Sequence, residues 1–197
     1  MAERLSPLAR VEPVSGEGLR IAEVPFLTQV DLRADPASDT ARDLGIALGV
    51  PLPTEPNTYA RGDADVLWLG PDEWLVVGAA GDDGLEARLR AAAGTGHAGI
   101  TDVSAQRTTL LVAGPRARDL LAHGCALDLH PRLFGPGRCA QTMLARAQVI
   151  LAAHEDDTFR VSVRSSFAGY LAAWLLDAAV EYLDAGKAME SAPGHGP

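Results

Sequence analysis

The chain has 197 residues, of which 47% are hydrophobic and 22% are charged, and its formal net charge at pH 7 is −9. This length and composition predict one folded domain, or two small domains that share a core, and exclude a wholly disordered protein. The acidic balance argues against a nucleic-acid partner, because binding to phosphates needs clustered positive charge.

The sequence also argues against a membrane protein. No apolar run approaches the roughly 20 residues that span a bilayer, and the N-terminus lacks the apolar core of a signal peptide. Cys125 and Cys139 show no CxxC spacing, which is typical of small apolar side chains in a reducing compartment. We therefore expect a cytoplasmic protein.

The first part of the chain predicts an extended N-terminal arm over 1–18 and a first α+β half over 19–97. Hydrophobic periodicity, turn residues and helix signals divide this half into short elements. They are one or two strands over 19–32, a helix over 37–48 that is capped by Asp35-Pro36, a loop over 51–62, a hairpin with strands at 65–69 and 73–77, and a helix over 84–93.

A second α+β half is predicted over 98–185, followed by a disordered tail over 186–197. Its elements are one or two strands over 100–112, a helix over 116–123, strands at 139–144, 148–153 and 158–163, and a helix over 167–183 that is capped by Ser165-Ser166 and ended by Gly186. Both halves thus show the order strand, helix, strands, helix. The predicted fold class is α+β, with two βαββα-type halves whose short antiparallel or mixed sheets are covered by helices.

The stretch GTGHAG at 94–99 matches the GxGxxG pattern of dinucleotide-binding loops. That function requires a strand before the loop and a helix after it, so that the helix N-terminus meets the pyrophosphate. Here a predicted helix precedes the loop and a predicted strand follows it. The pattern therefore predicts a connection between the two halves and no nucleotide site.

No catalytic or metal-binding arrangement is evident in the sequence. No two of the five histidines stand at i, i+3 or i, i+4, none pairs with a cysteine at ligand spacing, and no GxSxG nucleophile motif occurs. Ser104 follows Asp102, but no histidine is tied to them by spacing. We interpret this pair as a turn in which the two side chains bond local backbone.

Arginines and tryptophans are the candidate contacts to a partner. Arginine is concentrated in the second half, either as paired surface charge or as forks that bind carboxylates of a partner chain or an anionic ligand. The tryptophans of the predicted hairpin are either core residues or interface anchors. The candidate interface residues are Trp68, Trp74, Arg107, Arg116, Arg132, Arg138 and Arg164.

Six strings, in this order along the chain, are similar to a known family. They are LGPDEWLV at 69–76, TDVSAQRT at 101–108, GPRARDLL at 114–121, CALDLHP at 125–131, GRCAQT at 137–142 and FRVSVRSSF at 159–167. Together they resemble the gamma subunits of bacterial heterotetrameric sarcosine oxidases, over roughly residues 5 to 183.

The resemblance implies a fold similar to the folate-binding domain of aminomethyltransferases and a structural role without catalytic residues or cofactors on this chain. It implies alpha, beta and delta subunits as partners, with FAD, FMN and NAD on the larger chains and zinc on delta. The holoenzyme of this family demethylates sarcosine oxidatively to glycine and gives hydrogen peroxide. The one-carbon unit leaves as formaldehyde or as 5,10-methylenetetrahydrofolate, with tetrahydrofolate as co-substrate.

Two hypotheses follow from these observations. The first is a non-catalytic structural subunit of such an oxidase. The alternative is an autonomous folate-binding or aminomethyltransferase-like protein, for which Asp102 or Glu73 would be the acidic anchor of the pterin ring. Because fold analogy is a weak guide to function, the first hypothesis is favoured.

Overall fold

The computed structural model describes residues 4–16 and 18–190, with the side chains described up to residue 183. Eleven strands are present in this part of the chain: β1 (Val14–Gly16), β2 (Leu19–Val24), β3 (Leu27–Ala34), β4 (Tyr59–Arg61), β5 (Asp65–Gly70), β6 (Glu73–Ala80), β7 (Ala98–Asp102), β8 (Arg107–Ala113), β9 (Cys139–Leu144), β10 (Ala147–Glu155) and β11 (Thr158–Arg164). The α-helices are α1 (Asp39–Ala47), α2 (Leu85–Ala93), α3 (Ala117–Ala122) and α4 (Ala168–Glu190), and a 3₁₀ turn at Ser165–Phe167 leads into α4.

The strands form two antiparallel sheets. Sheet A has the order β1-β2-β8-β11-β10-β9, and sheet B has the order β4-β5-β6-β3-β7. Side chains of α3 and α4 share a buried cluster with one face of sheet A, and those of α1 and α2 do so with one face of sheet B. The two remaining faces pack on each other, so the molecule has four layers: helices, sheet, sheet, helices. The predicted α+β class and the antiparallel sheets are confirmed.

The same order of elements occurs twice. Two strands that belong to different sheets, a helix, three consecutive antiparallel strands and a second helix run from β2 to α2 and again from β7 to α4. The first strand of each unit belongs to the other unit's sheet, since β2 pairs with β8 while β7 pairs with β3. The predicted division between residues 97 and 98 therefore coincides with the start of the second unit but does not separate the two sheets.

The chain crosses from one sheet to the other at two tight connections. The segment between β2 and β3 bends at Phe26, whose φ is 60°, and the segment between β7 and β8 bends at 103–106. Ser104 Oγ accepts a hydrogen bond from the backbone N–H of Gln29 at 2.9 Å. The backbone N–H of Val103 donates to the backbone carbonyl of Gln29 at 2.8 Å. The connection between β7 and β8 is thus bonded to the start of β3, close to the connection between β2 and β3.

Three hydrophobic clusters fill the spaces between the layers. The largest lies between sheet A and its helices, and its fully buried members include Phe159, Leu120 and Leu171. A second cluster around Trp74 lies between sheet B and its helices. A smaller one, with Cys139 at 0% exposure, lies between the sheets. Alternation of inward and outward side chains along each strand gives both sheets two buried faces.

Two helix boundaries differ from the prediction. Helix α1 starts at Asp39 because Ser38 is its N-cap, with Oγ accepting from the Ala41 amide, whereas Asp35 accepts from Ala37 in the preceding turn. Helix α4 starts after the 3₁₀ turn, and the Ser165 hydroxyl donates to the Ala105 carbonyl instead of capping it. Serine and aspartate favour caps and turns alike, so the sequence did not distinguish these roles.

Both ends of the chain hold more structure than predicted. The backbone of α4 continues through Gly186 to Glu190, because a single glycine costs only about 1 kcal/mol among good helix formers. Residues 191–197 of the predicted tail lie outside the described residues. In the predicted arm, β1 pairs with β2, and Leu8 is 2% exposed within the largest cluster. A short strand, β4, also occupies the end of the predicted loop.

Candidate functional site

Trp74 is a core residue and not an interface anchor, which corrects the sequence-based proposal. Its side chain is fully buried beneath α1 and α2, and its indole nitrogen donates to the Pro53 carbonyl at 2.7 Å. Trp68 lies directly opposite Trp74 in the β5–β6 hairpin and packs on the same cluster while remaining partly exposed. Of the two tryptophans, only Trp68 retains surface that a partner could contact.

Two of the candidate arginines form ion pairs within the chain. Arg116 contacts Asp119 at 3.0 Å, and Arg138 contacts Glu55 at 2.9 Å, both on the surface. Arg132 is exposed in the connection between α3 and β9. Exposed ion pairs contribute little to stability, so these charges also remain accessible to a partner.

Arg107 and Arg164 form a different arrangement. They are register partners at the ends of β8 and β11, and both project from the inner face of sheet A. With Gln141, Met143 and Gln148 they line an open cavity of about 420 Å³. Burial and the neighbouring charge of Arg164 lower the pKa of Arg107 from its usual value, while Asp31 and Glu73 act in the opposite direction. The structure thus brings together two of the predicted arginines and separates them from the other three.

Arg118 is one of the arginines concentrated in the second half but was not listed as a candidate interface residue, and it makes more contacts than any other described arginine of the second unit. Its side chain is 13% exposed, donates to the carbonyls of Leu129 and Phe134, pairs with Asp157 and lies over the ring of Phe159. These bonds hold the connection between α3 and β9 against sheet A. Its role is structural, and nothing in its spacing distinguishes it from Arg116.

The Asp102–Ser104 pair is a structural turn, as the sequence indicated. The Ser104 amide donates to Asp102 Oδ1 at 2.7 Å. The Ser104 side chain, followed by its backbone amide, lowers the pKa of the Asp102 carboxyl. The Ser104 hydroxyl is hydrogen-bonded to the backbone N–H and carbonyl of Gln29, and therefore offers no activated nucleophile.

Glu73 and Asp102 do not form a common acidic anchor. They pair with β3 from opposite sides, Glu73 opposite Arg33 and Asp102 opposite Val30. Glu73 also lies 3.7 Å from the guanidinium of Arg33. The adjacent cavity of about 690 Å³ is lined by Arg33, Asp72 and His97, among others, and by neither candidate.

The GxGxxG stretch connects α2 to β7, as predicted. Gly94 ends α2 with a φ of 56°, in the left-handed region that favours glycine. At Gly96, an added Cβ would lie 2.0 Å from Thr40 Oγ1 and 2.9 Å from the Ala93 carbonyl, so α1 approaches this backbone closely. Packing accounts for these glycines, since no strand precedes them and no helix follows.

The described residues include no group of three or more His, Cys, Asp and Glu side chains placed to hold a metal ion. His123, which the sequence placed near a helix end, contacts Glu181 and Tyr182 on α4. Within the part of the chain that the structure describes, no helix is both long and apolar enough to cross a membrane.

Exposed apolar side chains add surface that the sequence analysis did not identify. Ile46 on α1 is 72% exposed beside an open cavity of about 420 Å³, and Met143 on the edge strand β9 is 44% exposed. Phe167 and Tyr170 are exposed at the start of α4. Contiguous apolar patches are typical of interaction surfaces, whereas single exposed apolar side chains are common, and the hydrophobic pattern alone separates neither from core positions.

Comparison with solved structures defines the class of the fold. The chain superimposes on the crystal structure of the glycine cleavage system aminomethyltransferase T from Bartonella henselae with a TM-score of 0.65, over 82% of this chain and 46% of that chain. The sequences are 15% identical, so the likeness concerns the fold alone. The protein is therefore an α+β protein with an aminomethyltransferase-like fold, as the sequence predicted.

A second comparison is much closer. A chain of the heterotetrameric sarcosine oxidase from Corynebacterium sp. U-96 matches with a TM-score of 0.85 and 38% identity, over 91% of this chain and 96% of that chain. The sarcosine oxidase subunit gamma of Corynebacterium sp. (strain U-96) is 38% identical over 185 residues, covering 92% of this chain and 89% of the relative. The subunit gamma of Arthrobacter sp. is 39% identical over 165 residues, covering 82% and 80%.

The model of the sarcosine oxidase gamma subunit family matches residues 31–181. The chain belongs to this family. The resemblance of its six sequence strings is thus confirmed.

Proposed function

We propose that this chain is the gamma subunit of a heterotetrameric sarcosine oxidase and acts as a structural subunit without catalytic residues of its own. The observation that carries the proposal is the match to a chain of the Corynebacterium oxidase, at 38% identity over 91% of this chain and 96% of that one. The gamma-subunit names of the curated relatives support the same role over that of an autonomous folate-binding protein.

The proposal extends to the complex as a whole. Its alpha, beta and delta subunits carry FAD, FMN, NAD and zinc, and the assembly demethylates sarcosine to glycine in the cytoplasm. Hydrogen peroxide is a product, and the one-carbon unit is released as formaldehyde or passed to tetrahydrofolate. The two buried free thiols, Cys125 and Cys139, support a reducing compartment.

In this assembly the chain contributes a surface that binds the other subunits. Met143 and Phe167 are exposed apolar side chains, and Arg107 and Arg164 offer charge that no carboxylate of the described residues contacts within 4 Å. Aromatic residues, methionine and arginine are enriched at protein interfaces.

Co-expression tests the proposal. The tagged chain is produced together with the flavin-binding and zinc-binding subunits encoded in the same organism, and the product is separated by size exclusion. We expect one peak that contains all four chains, flavin absorbance and sarcosine-dependent peroxide formation. Omission of this chain should lower the thermal stability of the remaining complex.

A stable monomer that never co-elutes with the other subunits would refute the structural role. Titration calorimetry of the isolated chain with tetrahydrofolate tests the alternative function. Heat of binding to a folded monomer, together with failure to co-elute, would favour an autonomous folate-binding protein.

A further inference from the structure

The cavity that Arg107 and Arg164 line opens at the mouth between the two sheets. All of its lining residues belong to β8, β9, β10 and β11, so sheet B does not cover this end of sheet A. Ile150 at its floor also belongs to the cluster between the sheets, and Gln141 at its rim donates to the carbonyl of Leu69 on β5. The cavity therefore continues the space between the sheets out to the surface.

Positive charge is concentrated at this mouth, and no carboxylate of the described residues forms an ion pair with it, although Asp31 and Glu73 act on Arg107 from a longer distance. Residues opposite each other on neighbouring antiparallel strands lie close together, and like charges at such positions are unfavourable. Arg107 and Arg164 are such a pair. Nine other described arginines lie within 4 Å of a described carboxylate, whereas Arg4, Arg10, Arg20, Arg132 and Arg146 do not; the nine are Arg33, Arg42, Arg61, Arg88, Arg90, Arg116, Arg118, Arg138 and Arg160. Among the described residues, no carboxylate lies within that distance of Arg107 or Arg164.

The backbone beneath the two arginines is fixed. The Ser165 amide donates to the Gln106 carbonyl, and the Ser165 hydroxyl donates to that of Ala105, which joins the ends of β8 and β11. Two residues along the same strands, the hydroxyls of Thr109 and Ser162 lie 3.1 Å apart in a buried hydrogen bond. The backbone that carries the two guanidinium groups is thus fixed, so only the arginine side chains themselves must be ordered when a carboxylate binds.

We propose that this mouth receives a carboxylate-bearing segment of another subunit of the oxidase, and that Arg107 and Arg164 bind its Asp or Glu side chain. Met143 and Ile150 contact the apolar side chain next to the carboxylate, and the amides of Gln141 and Gln148 bond the backbone of the segment. This inference rests on the proposed function, because it requires that the chain assembles with other subunits.

The test compares two charge reversals in the co-expressed complex. Arg164→Glu changes an exposed arginine at the mouth. Arg88→Glu changes the net charge equally on α2, where the side chain is 51% exposed and pairs with Asp82. We expect Arg164→Glu to weaken binding to the other subunits about tenfold or more, because an acidic side chain then faces the partner's carboxylate. Arg88→Glu should leave binding unchanged, and Arg164→Lys should retain part of the affinity.

The salt dependence of the dissociation constant gives a second measurement. For the wild type, binding should weaken as NaCl rises from about 50 mM to about 500 mM, and the slope should be smaller for Arg164→Gln. Thermal unfolding of each isolated variant verifies that it folds. If the wild type does not bind the other subunits, the proposed function itself is wrong.

If the wild type binds and Arg164→Glu binds equally well with the same salt slope, the role of the mouth is refuted while the structural role stands. Succinate is the probe for a free small anion. If succinate raises the melting temperature of the isolated wild type but not of Arg164→Glu, and the complex is unaffected by the substitution, the occupant is a free anion and the inference is also refuted.

Discussion

Arg116 and Arg118 stand two residues apart at the start of α3, but their surroundings differ completely. The side chain of Arg116 is 58% exposed and has one carboxylate partner. Arg118 donates to two backbone carbonyls and to Asp157 from a position that is 13% exposed. Guanidinium is the only side-chain group whose planar fork satisfies several acceptors at once, so the exchange of arginine for lysine tests this difference.

We predict that Arg118→Lys lowers the free energy of unfolding by about 1.5 to 3 kcal/mol, since buried acceptors lose a charged donor. Arg116→Lys should change it by less than about 0.5 kcal/mol, because exposed ion pairs contribute little. Urea unfolding followed by circular dichroism measures both. Equal effects of the two substitutions would show that Arg118 does not hold the connection between α3 and β9.

A second prediction concerns Gly124, which follows α3. An added Cβ would lie 2.7 and 2.8 Å from ring carbons of Trp174 and 2.9 Å from the backbone nitrogen of Ala145. Gly124→Ala should therefore destabilise the protein by about 1 to 3 kcal/mol, the usual cost of overpacking. Gly169→Ala is the control, because its added Cβ meets no atom within 4 Å apart from its chain neighbours and the backbone of its own helix. It should leave stability unchanged or raise it by up to about 1 kcal/mol. An unchanged midpoint of urea unfolding for Gly124→Ala would contradict this packing.

At the scale of the elements, the turn between β7 and β8 couples stability to pH. The pKa of Asp102 is lowered in the folded chain, chiefly by Ser104. The folded state then binds this proton less readily than the unfolded chain. The carboxylate therefore stabilises the fold above the ordinary aspartate pKa, near 3.8, and this stabilisation is lost as the pH falls below that value.

We predict that Asp102→Asn is less stable than the wild type at pH 7 and that the difference narrows at about pH 3. Melting temperatures at the two pH values provide the measurement. Asp156→Asn, in the exposed turn between β10 and β11, is the matched control and should show no such narrowing. A difference for Asp102→Asn that stays constant with pH would mean that Ser104 does not favour the charged carboxyl.

Most elements of this fold were predictable because their signals are local. Leu85 and Leu89 are both fully buried on α2, as their spacing predicts, and Gly70-Pro71 marks the β5–β6 turn. β4 was missed because three residues among prolines carry no periodicity. The stretches over 19–32 and 100–112 were each predicted as one or two strands. Periodicity does not reveal that each divides between two sheets, because pairing partners lie far apart in the sequence.

The candidate site was less predictable than the fold. Arg107 and Arg164 were predicted from the sequence as candidate interface residues, but only the register of β8 and β11 places them side by side. Trp74 stayed open between a core and an interface role, and was listed as an interface candidate, because composition does not report burial. Its indole nitrogen is bonded to a carbonyl twenty-one residues earlier in the chain. Exposed side chains such as Ile46 and Met143 could not be distinguished from core residues without knowing how the helices and sheets pack on each other.

At the scale of the whole molecule, the layer between the sheets is thin and depends on few side chains. Cys139 lies fully buried in it, and its thiol donates to the carbonyl of Thr58 in the segment leading to β4. Burial raises the pKa of this thiol to about 12. Only about one thiol in ten thousand is then ionised at pH 8, and the thiolate is the reactive form.

We predict that Cys139, as the only thiol in a Cys125→Ala variant, does not react with a disulfide reagent at pH 8 while the protein is folded. Its labelling rate should rise with urea in parallel with unfolding, because the reagent reaches it only when the sheets separate. Free cysteine in the same buffer is the reference. Labelling of the folded variant at the rate of free cysteine would refute a closed layer between the sheets.

The exchange of first strands between the two units also constrains how the chain is made. Val24 pairs with Thr109, so β2 leaves the ribosome long before its neighbour in sheet A has been synthesised. Until then β2 presents an unpaired edge, a known route to aggregation of nascent chains. Neither unit can complete its sheet co-translationally by itself, and the yield of soluble protein should depend on the rate of translation between β2 and β8.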